Sequence, residues 1–264
     1  MDKYLSSIIN EYWEDFQKKK DYDFIVKPSI PIVWFGNMEA YLKSAFKVVT
    51  VAINPSNIEF EPTKFEIQEG KTNKFLRFPD AQRIYERGLL NENDKQVLFN
   101  MLNNYFEIKP YKKWFAWFER SFSFLRKDVS YYSNSGHNTA LHIDVYTALA
   151  TSPTWKKLSA PQKNSIINID LFKKLLLYLN PDMIIFSGDY NVFSKVFSID
   201  KCIPLDKYYY KSGKASYPYK ILSFKAKEQL IIFGSNVQGN PLQLSENFIK
   251  NAFGEICSKH LRGE

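Results

Sequence analysis

The strongest constraint on this chain is a design repeated four times. An apolar run ends in a short polar or glycine-containing group: VVTVAINPS at 48–56, LHID at 141–144, IIFSGD at 184–189 and LIIFGSN at 230–236. Runs that are apolar on both faces belong to sheets covered on both sides, which are mainly parallel. Helical spacing between the runs adds α/β alternation. In a parallel sheet the carboxyl ends of the strands share one edge, and that edge is where such folds bind ligands. Four such endings predict one pocket.

The 264 residues, 45% hydrophobic and 17% aromatic, are enough to bury a large core as one domain spanning 1–264. Tyr4, Ile8, Ile9, Tyr12, Trp13 and Phe16 fall at helical spacing and predict a helical extension at about 1–28. Further strands are expected in SIPIVWFGN and YKILSFKA, and the runs LHID and LIIFGSN belong to the strands ALHIDVYTAL and EQLIIFG. Helices are expected in MEAYLKSAF, AQRIYERGLL, IINIDLFKKLLLYL and LSENFIKNAFGEIC, and a polar loop over 59–70. The formal charge of +8 suits a polyanionic partner such as nucleic acid. Cys202 and Cys257 lie far apart with no metal-ligand spacing, which reads as two reduced thiols and no metal site. No apolar stretch approaches the roughly 20 residues that span a bilayer, and the amino-terminal pattern is amphipathic, so a cytoplasmic protein without a membrane partner is expected.

The turn Ala52-Ile53-Asn54-Pro55-Ser56 admits two readings. Asn54 or Ser56 caps the next helix, or the strand delivers Asn54 to a ligand. The arrangement resembles the uracil-DNA glycosylase superfamily. Its first motif ends a strand in Asn-Pro in the mismatch-specific and single-strand-selective branches. There Asn54 matches the residue that positions the hydrolytic water. NPDMIIFSGDYNVFSKVF is similar to the family's Pro-x-hydrophobic-hydrophobic-x-Gly strand and its following helix, and LHIDVYTAL to its base-recognition strand. The resemblance covers roughly residues 31–255. It implies a three-layer α/β/α sandwich around a mainly parallel, roughly four-stranded central sheet, and a monofunctional, monomeric DNA glycosylase that needs neither metal nor organic cofactor.

Where the uracil-reading branches carry Asn, this chain aligns Asp144. An ionised Asp only accepts hydrogen bonds. It mismatches O4 of uracil or thymine and matches the N4 amine of cytosine. A protonated Asp144 in a dry pocket also donates to cytosine N3 and assists the departing base. The alternative is that Asp144 caps the following turn. Ser56 stands where the uracil-specific branch has a Tyr that crowds the pyrimidine C5 edge, so a 5-substituted cytosine is admitted. Such bases occur in some bacteriophage genomes, which suggests antiviral defence.

The family stacks a Phe on the flipped base; Phe78 takes that role, with Phe75 as the alternative and a plain core ring as the other reading of Phe78. Arg77 either holds a phosphate or is an ordinary exposed surface Arg, and Gly188 ends the second family strand beside DNA. The family's second motif, usually His-Pro-Ser, falls on Gly234-Ser235-Asn236-Val237-Gln238-Gly239, with no His. Ser235 and Asn236 are aligned to the base, and Val237, Gln238 or Leu242 to a wedge. A second alignment uses Asn240-Pro241, and a tight turn is the remaining alternative. His142, two residues before Asp144, shares its strand face and either enters the pocket or is a satisfied core His. Ser152, Thr154, Lys156 and Lys157 in ATSPTWKKL are candidates for DNA-backbone contact. In PYKKWFAWF the rings fit helical core spacing better than a single-strand platform.

Overall fold

The computed structural model describes residues 1–62, 64–70, 75–132, 138–210, 219–235 and 245–261, with only the backbone of Phe65, Tyr219 and Ser235. The strands are β1 (Val48–Ala52), β2 (Val129–Ser130), β3 (Asn138–Thr139), β4 (Leu141–Asp144), β5 (Met183–Gly188), β6 (Ile203–Tyr210), β7 (Tyr219–Ala226) and β8 (Gln229–Ser235). Two compact units share the chain. One comprises 1–38, 53–111 and 142–180; the other comprises 39–52, 112–141 and 181–264.

The second unit carries most of a six-stranded sheet of order β4-β1-β5-β8-β7-β6, which β4 enters at Leu141. β1 and β5 run parallel with Val49 opposite Ile184, and β5 and β8 run parallel with Ser187 opposite Gly234. Every residue of β1 and of β5 is buried. That explains why both read as unbroken apolar runs. β7 and β6 then extend the sheet antiparallel, so the sheet has six strands rather than the expected four or so. The strand that no expected segment covered is β6, whose register shifts between Pro204 and Lys207. Its alternation of exposed and half-buried residues lacks an apolar run, and its Pro204 suits only a sheet edge. In the same unit the helix Lys112–Leu125 buries Phe115, Phe118 and Phe122 and packs on the helix Glu246–His260. Phe115 and Phe118 of PYKKWFAWF therefore serve a core, while Trp114 and Trp117 are half-buried.

In the first unit the helix Lys3–Lys19 is capped by Asp2, whose side chain accepts from Leu5 N at 2.8 Å. Its buried stripe of Leu5, Ile8, Ile9, Tyr12, Trp13 and Phe16 packs against the helix Ile169–Leu179. SIPIVWFGN is not a strand. Its residues run extended beside the segment that leaves β4: Ile32 N donates to Ala148 O at 2.9 Å, and Phe35 exchanges backbone bonds with His142 at 2.8 and 3.1 Å. This strap of buried apolar side chains fastens residues 142–151, the stretch that forms one wall of the candidate site.

Candidate active site

The site is built where the chain leaves β1 and β4. Tyr146 N donates to Ile53 O at 3.1 Å, and Ser56 bridges Thr151 in parallel. Residues 53–56 therefore lie alongside 146–151. Ser56 caps the 3-10 turn Asn57–Glu59, its Oγ accepting from Ile58 N at 3.4 Å. The capping role thus belongs to Ser56, and Asn54 is released from it.

The Asn54 carboxamide is oriented by its surroundings. Its Nδ2 donates to Pro55 O at 2.9 Å, Thr151 Oγ1 at 3.2 Å and Leu149 O at 3.5 Å. Two of these partners are carbonyls that can only accept, so the nitrogen must face them. Oδ1 is turned the other way, and no described residue donates to it. A half-buried, fixed carboxamide oxygen can hold a water but cannot deprotonate it.

Asp144 closes β4 as a buried carboxyl, 7% exposed. Its Oδ1 is fully enclosed with no hydrogen-bond partner, and His142 Nε2 stands 3.7 Å away on the same strand face. Burial raises the Asp144 carboxyl above the ordinary Asp range, while His142 pulls the other way. An orphaned buried acceptor is rare because it costs about 1–3 kcal/mol. Here it sits at a strand end, where ligands are received.

A second carboxyl, Glu59, lies in the turn after Ser56 and is 4% exposed. Its Oε2 accepts from Tyr105 at 2.7 Å and lies 3.7 Å from Arg77 Nε. Burial pushes it up to about 7 against the opposing pull of Arg77 and Tyr105, with the charges of Asp144 and Glu66 adding to the rise. Two buried carboxyls in one another's field mark a candidate functional site. Glu59 was hidden in sequence because Ser56-Asn57-Ile58-Glu59 has the spacing of a capping box.

Two expected roles are corrected. Phe78 is wholly buried and sandwiched between Phe60 and Tyr105, with ring centroids at 5.4 and 5.5 Å and planes 29° apart in both pairs. Neither face is free for a base, and the core reading holds. Phe75 is instead half-buried and takes a left-handed backbone, φ 65°, uncommon for a bulky residue. Arg77, 2% exposed, does not face solvent. Its guanidinium donates to Ile58 O and Glu66 Oε1, each at 3.0 Å, beneath the Glu59 carboxyl. The expected polar loop over 59–70 is accordingly anchored by buried Glu59, Phe60 and Glu66 and contains the short helix Lys64–Gln68.

His142 is 2% exposed, its ring 5.5 Å from that of Phe35. Ser152, Thr154, Lys156 and Lys157 are all exposed on the loop after Thr151, and half-buried Trp155 between them stacks on Tyr146. Gly188 ends β5 opposite Ser235 in the other unit. Asn236 and Gln238, with Val237, Asn240, Pro241 and Leu242, lie outside the described residues. Among the described residues no group of three or more His, Cys, Asp or Glu side chains is placed to hold a metal ion, and no helix is long and apolar enough to cross a membrane. No protein-family model matches the chain, and no curated protein or solved structure matches it either.

Proposed function

We propose that this chain is a monofunctional DNA glycosylase that extrudes a 5-substituted, cytosine-type base and hydrolyses its N-glycosidic bond. The observation that carries this reading is the enclosed Asp144 Oδ1, which lacks a partner at the strand edge where Asn54 presents its own unused Oδ1. The protonated carboxyl, the form that burial favours, offers one O–H and one acceptor oxygen. Cytosine offers N3 as acceptor and the N4 amine as donor, so the two edges match in both senses. Donation from Asp144 to N3 withdraws charge from the departing base, and Asn54 holds water for the sugar carbon. Phe75 takes the stacking position vacated by Phe78, Ser56 leaves the C5 edge open, and the exposed Ser152, Thr154, Lys156 and Lys157 meet the DNA backbone.

The finer architecture belongs to the same reading: a three-layer α/β/α packing, a monomer, and action on DNA in the cytoplasm, with modified phage DNA as the substrate source. The second reading is a non-catalytic reader of a modified base. It is favoured by GSNVQG at 234–239, which lacks the His that stabilises the leaving anion in the family. Duplexes bearing uracil, 5-methylcytosine, 5-hydroxymethylcytosine or its glucosylated form separate the two. Abasic sites at one of the modified cytosines, absent with Asn54→Ala, are the expected result. Tight binding without any abasic product leaves only the reader.

A further inference from the structure

The loop that begins at Thr151 carries a surface feature that base excision itself does not use. Trp155 lays one face on Tyr146, with ring centroids 5.0 Å apart and planes at 24°. Its other face meets no ring among the described residues, and both rings remain partly exposed. The neighbouring Lys156 and Lys157 are exposed and have no acidic partner among the described residues. Thr151, the first residue of the loop, is one of the acceptors that hold the Asn54 amide, so the loop is tied to the candidate site at its root.

We infer that Trp155, backed by Tyr146, is a stacking platform for an unpaired base next to the target nucleotide, with Lys156 and Lys157 holding the adjoining phosphates. A partly exposed ring backed by another ring, next to unpaired cations, is what sequence-tolerant binding of single strands requires: every base has a π face, and each linkage carries a phosphate. A paired base, stacked within its duplex, has no face to give. The platform therefore makes single-stranded or locally opened DNA the preferred substrate form. This rests on the reading of the chain as a DNA-acting protein and deepens it by naming the strandedness.

The test is binding of the full chain to a fluorescent single-stranded 12-mer that lacks any modified base, and to its duplex, over a salt series. Base stacking on an aromatic side chain is worth roughly tenfold or more in affinity. Trp155→Ala is expected to weaken single-strand binding by about that factor, to leave duplex binding within about twofold, and to leave the salt slope unchanged. Trp155→Phe restores most of the affinity, and Lys156→Gln with Lys157→Gln flattens the salt slope instead. Melting curves of each variant show that the half-exposed ring can be removed without loss of fold. Wild-type single-strand affinity in Trp155→Ala overturns the platform, even if the wild-type protein makes abasic sites. Loss of single-strand binding in that variant alongside a wild type that excises nothing upholds the platform and removes the glycosylase.

Discussion

Thr151 Oγ1 lies 3.2 Å from Asn54 Nδ2, and Thr151 is itself 1% exposed. The carboxamide at the end of β1 is thus aimed by a buried hydroxyl rather than left to rotate in solvent. If Asn54 positions the attacking water, Asn54→Ala slows single-turnover base release by about 100- to 1,000-fold, the range for a lost polar group acting on a transition state. Thr151→Val keeps the shape and removes the acceptor. It is expected to slow release about three- to tenfold, the worth of one net hydrogen bond, with DNA affinity unchanged. Equal rates for Thr151→Val and wild type would show that the contact does not orient the amide.

Asp144 offers a sharper test, because one atom changes what it can read. Asp144→Asn replaces the acid with an amide that donates to O4 and accepts from N3–H, so preference moves from cytosine-type bases to uracil. The pH profile moves with it. Burial raises the Asp144 carboxyl, so the protonated form that donates to N3 persists above the ordinary Asp range and is lost as pH rises through the folded-state value. Wild-type excision therefore declines on the alkaline side, and Asp144→Asn lacks that decline. Unchanged base choice in the variant would assign base reading to another residue.

How far the sequence revealed these relationships depends on whether a local pattern carries them. β1, β5, β7 and β8 were legible because their apolar runs fill a sheet, and Asn54 and Asp144 because each ends such a run. β6 was not, since Ile203 and Tyr209 are exposed and its half-buried residues alternate with lysine and tyrosine. SIPIVWFGN misled in the other direction. Its side chains are buried like those of a strand, yet Pro31 removes a backbone donor, and isolated backbone bonds at Ile32 and Phe35 hold it instead. Phe78 and Arg77 were misassigned because burial is set by distant partners. Nothing in KFLRFPD shows that Phe60 and Tyr105 cover both faces of one ring, or that Glu59 and Glu66 enclose the guanidinium.

Glu59 should leave a signature in stability. Its carboxyl rises from the usual 4.5 to about 7 in the folded protein. Between those values the folded state keeps a proton that the unfolded chain has released. The contribution to stability is complete below about pH 4.5, falls by about 1.4 kcal/mol per pH unit across the window, and is gone above about pH 7. Glu59→Gln keeps an acceptor for Tyr105 and removes the titration. Urea midpoints measured from pH 4 to 8 should decline less steeply in the variant than in the wild type, with the residual slope reporting other groups such as Asp144. Parallel slopes would mean that Glu59 stays ionised in the fold.

Arg77 separates a structural cation from a DNA-binding one. It joins Glu59 and Glu66 with side chains 3%, 5% and 8% exposed respectively. Removing one partner of a buried ion pair costs about 3–5 kcal/mol; here Glu59 loses its cation while Glu66 keeps Lys109 at 3.5 Å. Arg77→Met is therefore expected to lower the urea-unfolding free energy by about that amount without changing its dependence on urea concentration. Lys156→Gln combined with Lys157→Gln, on the exposed loop, should alter stability by no more than about 0.5 kcal/mol, while DNA affinity falls and loses part of its salt dependence. The two variants exchange effects if the assignment is inverted. A stable Arg77→Met protein with weakened DNA binding would return that residue to the phosphate-holding role that Lys156 and Lys157 now carry.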